Sequence, residues 1–326
     1  MTRSTGHRTG PATIDNRTSL PEQRSAARST PQPSHHPAWG VAAGALCVSA
    51  SAVLLGLSGA DPGTASFYRC LLALPPLALL AVPEQRREGL PPRRQYGLAV
   101  LAGAMFAGDM LLWTQAIPEV GAGLSTVLVN VQVVLVPLLA WTIDREPLPR
   151  AFLLWVPVIL VGVVLTGGVV EGGAFGGDPL WGTVHAVLAA VCYSVFLFLL
   201  RRGGHGGHVR QSYVLVIASA AVVSLLAGLL GYGMDFTPGW RILGWLLVVA
   251  VTSQVVGWLL VASFSPRLAS HVGAVLLLLT PVGAVALGAV VLGERPTGLQ
   301  LAGCLLILLS AYFAATRKPR TRRRTG

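Results

Sequence analysis

Ser270-His-Val-Gly-Ala-Val-Leu-Leu-Leu-Leu-Thr-Pro-Val-Gly-Ala-Val-Ala-Leu-Gly-Ala-Val-Val-Leu292 runs for 23 residues without one Asp, Glu, Lys or Arg. A helix needs about 20 such residues to cross the hydrocarbon of a bilayer. Nine more apolar stretches of near-spanning length are read along the chain: Trp39 to Gly59, Thr64 to Val82, Tyr96 to Ala116, Gly121 to Ile143, Ala151 to Val170, Pro179 to Leu200, Gln211 to Leu230, Arg241 to Ala262, and Leu299 to Thr316. The runs are continuously apolar, whereas barrel strands alternate over about ten residues. Hydrophobic residues make up 53% of the chain and charged residues 11%, against roughly 25% charged in a soluble domain. The sequence therefore predicts an all-α membrane protein with ten transmembrane helices, leaving no length for a sizeable soluble domain.

The net charge of +11 is sorted by side. With ten spans and a cytoplasmic amino end, 21 of the 24 Lys and Arg residues fall on the cytoplasmic side, only Arg241 and Arg295 fall on the other, and Arg69 falls inside a span. By the positive-inside rule both termini are cytoplasmic, and the expected location is the cell membrane, crossed many times. The basic tail at 317–326 reads as a topology anchor touching anionic membrane lipid, so no nucleic acid is expected. Residues 1–38, rich in Ser, Thr, Pro and Arg, cannot bury enough apolar surface to fold and are expected to form a disordered cytoplasmic tail. The cysteines Cys47, Cys70, Cys192 and Cys304 lie at unrelated spacings within spans, giving neither a metal motif nor a disulfide framework.

A repeat organises the spans. Val136-Pro-Leu-Leu-Ala-Trp-Thr-Ile-Asp-Arg-Glu146-Pro parallels Ala284-Val-Ala-Leu-Gly-Ala-Val-Val-Leu-Gly-Glu294-Arg-Pro. Trp39-Gly40 matches Trp181-Gly182, Ser66-Phe67 matches Ser212-Tyr213, and Asp109-x-x-x-Trp113 matches Gln254-x-x-x-Trp258. These pairs keep one order, which divides the chain into five helices over 39–170 and five more over 179–316. Five is odd, so the second copy should lie inverted relative to the first, giving two inverted five-helix repeats. That is the architecture of many secondary transporters, in which similar halves exchange conformations about a central site.

The stretch Leu279-Thr-Pro-Val-Gly-Ala-Val-Ala-Leu-Gly-Ala-Val-Val-Leu-Gly-Glu-Arg-Pro-Thr-Gly-Leu-Gln-Leu-Ala-Gly303 resembles the second-repeat motif of EamA-type carriers of the drug/metabolite transporter superfamily. There, a Pro-led apolar helix ends in Leu-Gly-Glu-Arg and continues into a Gly-containing helix. Phe67-Tyr-Arg69-Cys-Leu-Leu is similar to that family's Arg near the start of span two. The first repeat departs from the pattern at Gln132-Val133 and at Asp144-Arg145 before Glu146. The resemblance implies a carrier of small solutes such as amino acids or toxic compounds, acting as an exporter.

A charge held within a bilayer needs a partner, a wet cavity or a function. Arg69 and Asp109 lie at similar depth and can pair structurally; alternatively Asp109 binds a cationic group or exchanges a coupling proton while Arg69 attracts a carboxylate. Trp113 stands one turn from Asp109, and Trp258 one turn from Gln254, either walling a pseudo-symmetric cavity or sitting in an interfacial belt. Asn130, Gln132 and Thr280 are further cavity candidates, or interhelical hydrogen-bonding groups. His185 and Tyr193 share a helix face, with His185 able to titrate near neutral pH or to serve as a packing residue. Glu146 and Glu294 read as structural helix ends that bind the amino ends of the following helices, and Pro137, Pro157 and Pro281 as points of bending.

No zinc-protease, Walker or nucleophile-elbow motif is present in the sequence, so no enzyme, cofactor or metal is expected and transport should draw on an ion or solute gradient. A lipid or lipid-linked intermediate flippase and a non-transporting membrane sensor are the alternatives, and a homodimer is allowed.

Overall fold

The structure, a computed structural model, describes residues 36–145, 154–168, 170, 175–203, 208–264 and 276–316. Every regular element among them is a helix. In chain order these are α1 (His36–Ser58), α2 (Pro62–Glu88), α3 (Arg93–Val120), α4 (Ala122–Asp144), α5 (Trp155–Thr166), α6 (Pro179–Gly203), α7 (Val209–Tyr232), α8 (Trp240–Val261), α9 (Leu279–Leu292) and α10 (Gly298–Thr316). Seven of them are long and apolar enough to cross a bilayer, whereas α5, α9 and α10 are shorter apolar helices. The expected ten full-length spans are thus met by seven, the described residues of the fifth and ninth beginning only at Leu154 and Leu276. Large apolar side chains such as Leu79, Leu226, Leu229 and Val290 point outward, where water would oppose them and lipid does not.

Three of the five corresponding pairs, α2 with α7, α4 with α9 and α5 with α10, pack against each other and run antiparallel. At one end of the bundle the start of α2 meets the end of α7, where Thr64 N–H donates to Gly233 O at 3.1 Å. At the opposite end, the last turn of α2 meets the start of α7 through Glu84. The start of α4 lies on the end of α9 through Glu294. Trp155 at the start of α5 stacks on Phe313 near the end of α10, with ring centroids 5.1 Å apart. Advancing each helix by five carries the α3–α6, α3–α7 and α4–α6 contacts onto α8–α1, α8–α2 and α9–α1, all of which are present.

Close approach depends on small residues. A Cβ on Gly162 would stand 2.8 Å from Ile307 Cγ1, so α5 and α10 touch through backbone that no larger residue allows. Gly121, at φ 98°, turns the chain between α3 and α4 in a conformation that other residues rarely adopt.

Two irregularities interrupt helices at mid-span. In α4 the Asn130 side chain donates to Thr126 O at 2.9 Å, taking the acceptor that an unbroken helix reserves for the Asn130 backbone, which bonds Val127 O instead. This local competition, with Pro137 a few residues on, divides what the sequence presents as one continuous helix. In α8 the residues Ala250–Gly257 form a π-helical segment. Two further π-turns, Gly228–Tyr232 and Gly288–Leu292, end α7 and α9. Pro157 and Pro281 each stand at the third residue of their helix as described, α5 and α9.

Candidate functional site

Residues of seven helices enclose a cavity of about 250 Å³ between the two halves of the chain. On α3, Phe106, Asp109 and Trp113 reach it at spacings of three and four, as one face of an α-helix must. On α8 the lining residues are Ser253, Trp258 and Val261; the first two are five apart, because a π-helix brings residues i and i+5 onto one face. Tyr193 enters from α6, Thr280 from α9 and Ser51 from α1, while the broken segment of α4 supplies Asn130 and Gln132. Both mid-span irregularities therefore abut this cavity, where non-helical backbone at membrane depth is tolerated.

The electrostatics centre on α2 and α3. Arg69 lines the cavity at 4% exposure, with no hydrogen-bond partner for its buried Nε and Nη1 atoms. Its guanidinium lies over the Trp113 indole, 5.7 Å from the ring centroid, close enough for a cation–π contact. Asp109, 8% exposed, lines the same cavity. The two are joined by no direct salt bridge among the described residues, though each lies within range of the other's charge. Around Arg69 further polar atoms are left over: Ser66 Oγ one turn earlier on α2, Tyr213 Oη on α7 and Gln254 Oε1 on α8 are buried and unpartnered.

Eight of the sequence-selected residues (Arg69, Asp109, Trp113, Asn130, Gln132, Tyr193, Trp258 and Thr280) line this one cavity. Thr280 also donates to Ala45 O at 3.3 Å and ties α9 to α1. Gln254 is fully buried beside the cavity, its Nε2 3.7 Å from Met110 Sδ, since the π-segment turns Ser253 inward in its place. His185 lies elsewhere: its Nδ1 is 2.6 Å from Glu119 Oε2, joining the start of α6 to the end of α3, and Gln115 Nε2 donates to the same carboxylate at 2.8 Å.

Glu294 is buried and accepts from Ala122 N–H at 2.5 Å and Gly123 N–H at 3.1 Å. It therefore caps α4, not the helix that follows it, because the antiparallel α4–α9 pairing sets the amino end of α4 beside the end of α9. Gly288 leaves room for that carboxylate, which a Cβ would strike. A second cavity, of about 730 Å³, opens at this end of the bundle between Asp61, Gln115 and Glu294. Glu146 lies outside the described residues.

A family model described as the EamA-like transporter family matches twice, over residues 38–168 and 180–316. The chain belongs to the EamA-like transporter family. It is a multi-pass membrane protein built from two EamA repeats. A comparison with curated proteins gives no match. A solved structure described as "Crystal structure of protein" shares the fold, with a TM-score of 0.54 and 20% identity over 86% of this chain and 96% of that one.

This EamA-like transporter uses residues that the sequence alone leaves unmarked. Phe106 stands three before Asp109, so the helical period carried the signal for it. Ser253 had none, its face depending on the π-segment. Glu84 caps α7, accepting from Arg210 N–H at 3.1 Å and Gln211 N–H at 3.0 Å. Thr297 and Gln300 exchange side-chain-to-backbone bonds at the start of α10, and their Thr-x-x-Gln spacing is a capping signature.

Proposed function

We propose that this protein is a gradient-driven carrier that exports a small solute by alternating access of the central cavity, with ten spans in two inverted five-helix repeats and both termini in the cytoplasm. The observation that carries the reading is the convergence of helices from both repeats on one cavity that holds Arg69 and Asp109 without a salt bridge between them. Support for inversion comes from the antiparallel contacts of α2 with α7, α4 with α9 and α5 with α10. The sorted basic residues support the orientation.

In this cycle Asp109 is the coupling carboxylate and exchanges a proton, while the aromatic walls Trp113, Trp258 and Tyr193 bury the apolar part of the solute. Arg69 and Asp109 supply polarity where the bilayer offers none. Alternating access follows when the two halves rock about the site, and the broken α4 and the π-segment of α8 are the places where helix geometry is already relaxed.

Purified protein in proteoliposomes with an imposed proton gradient tests the proposal against panels of amino acids and small organic acids. Gradient-dependent flux of at least one solute is expected. Absence of any flux, or translocation of lipid without aqueous solute, would contradict it.

A further inference from the structure

We propose that Arg69 selects the charge of the solute: the cavity takes a compact molecule that presents a carboxylate or equivalent anion to the guanidinium, and positive charge at position 69 keeps organic monocations out. The inference rests on the carrier reading above, in which Asp109 carries the coupling proton and Arg69 is the remaining fixed charge among the described lining residues. A buried cation with unpaired N–H groups is costly, and an incoming anion supplies what the fold withholds. Nε and Nη1 have no acceptor, and the neighbouring Ser66 and Tyr213 hydroxyls are themselves unpartnered.

The second repeat does not duplicate the charge. Matching Ser66-Phe67 to Ser212-Tyr213 sets Leu215 opposite Arg69. The aromatic surfaces explain the exclusion. Trp113, Trp258 and Tyr193 beside Asp109 would form a box for an organic cation, were the indole of Trp113 not already faced by Arg69 at 5.7 Å. An entering monocation meets a like charge at the surface that would otherwise hold it. An entering anion meets a cationic donor group and can accept charge-assisted hydrogen bonds from it.

Phenylacetate and benzylammonium have nearly the same shape and opposite charge, and calorimetric titration of the purified full-length protein with each provides the test. Wild type should bind phenylacetate roughly tenfold or more tightly than benzylammonium, the scale of a hydrogen bond to a charged partner. Arg69→Gln should reverse that order, and Arg69→Lys should keep it. A wild-type preference for benzylammonium, or a ratio unchanged by Arg69→Gln, would overturn the proposal. If Arg69→Gln does not fold, the wild-type ratio decides alone. Loss of all gradient-driven flux with the binding order intact would remove the carrier reading only, whereas flux without charge order would remove this inference only.

Discussion

The first repeat lines the cavity from α1, α2, α3 and α4 and the second from α6, α8 and α9 only, and the chemistry of the two sides differs. From the first come Arg69 and Asp109, both ionisable and not bridged to each other; at the matching places the second has Leu215 and Gln254. The tryptophans persist, Trp113 in one and Trp258 in the other, and both line the cavity. Even the helix that bears them differs. α3 is regular through Asp109 and Trp113, whereas α8 passes through a π-segment that turns Ser253 inward and buries Gln254 against Met110. Pseudo-symmetry supplies the frame, and the ionisable groups of the cavity are placed asymmetrically within it.

Six substitutions separate frame from chemistry. The largest effect is expected at Asp109. Asp109→Asn should lower proton-driven flux in proteoliposomes on the order of a hundredfold, as loss of a proton-transfer group does. Its counterpart Gln254→Leu should change flux by less than about threefold, because it removes an unpaired acceptor and only a weak contact to the Met110 sulfur. Equal losses at the two positions would abolish the distinction between the repeats. Next come the aromatic walls: Trp113→Ala and Trp258→Ala should each raise the half-saturating solute concentration roughly tenfold, the scale of a lost aromatic contact. A loss confined to Trp113 would restrict the solute to the first repeat.

Glu294→Gln, in the frame, should destabilise the folded protein by about 2 kcal/mol in a thermal melt, since Ala122 and Gly123 donate to different carboxylate oxygens and one of these becomes an NH2 that cannot accept. Its substrate profile should stay unchanged; an altered profile at normal yield would make Glu294 part of the pathway. The smallest effect is expected at Asn130. Asn130→Ala returns the Thr126 carbonyl to the backbone and should stabilise the protein by up to about 1 kcal/mol while slowing flux. A faster carrier would show that the break in α4 does not help the cycle.

Sequence period explains which residues were legible. Asp109 and Trp113 sit four apart in a regular helix, so their shared face follows from spacing alone. The same arithmetic misplaced Gln254, because nothing local announces a π-segment, and Ser253 took the position. Partners distant in the chain were less accessible still. Glu294 was read as capping the next helix, yet the antiparallel pairing of α9 with α4 delivers it to Ala122. The Glu84 cap on α7 and the His185–Glu119 contact likewise require knowing which helices touch. A signal was present for Gln300, whose Thr-x-x-Gln box is local.

The central claim is that one solute occupies a cavity shared by both repeats. It is tested most directly by alkylation of Asn130→Cys and Ser253→Cys, each introduced after Cys47, Cys70, Cys192 and Cys304 are replaced. Both positions line the cavity, one from each repeat. The account predicts that the transported solute protects the two thiols with the same half-saturating concentration. Protection of one thiol alone, or at clearly different concentrations for the two, would contradict it.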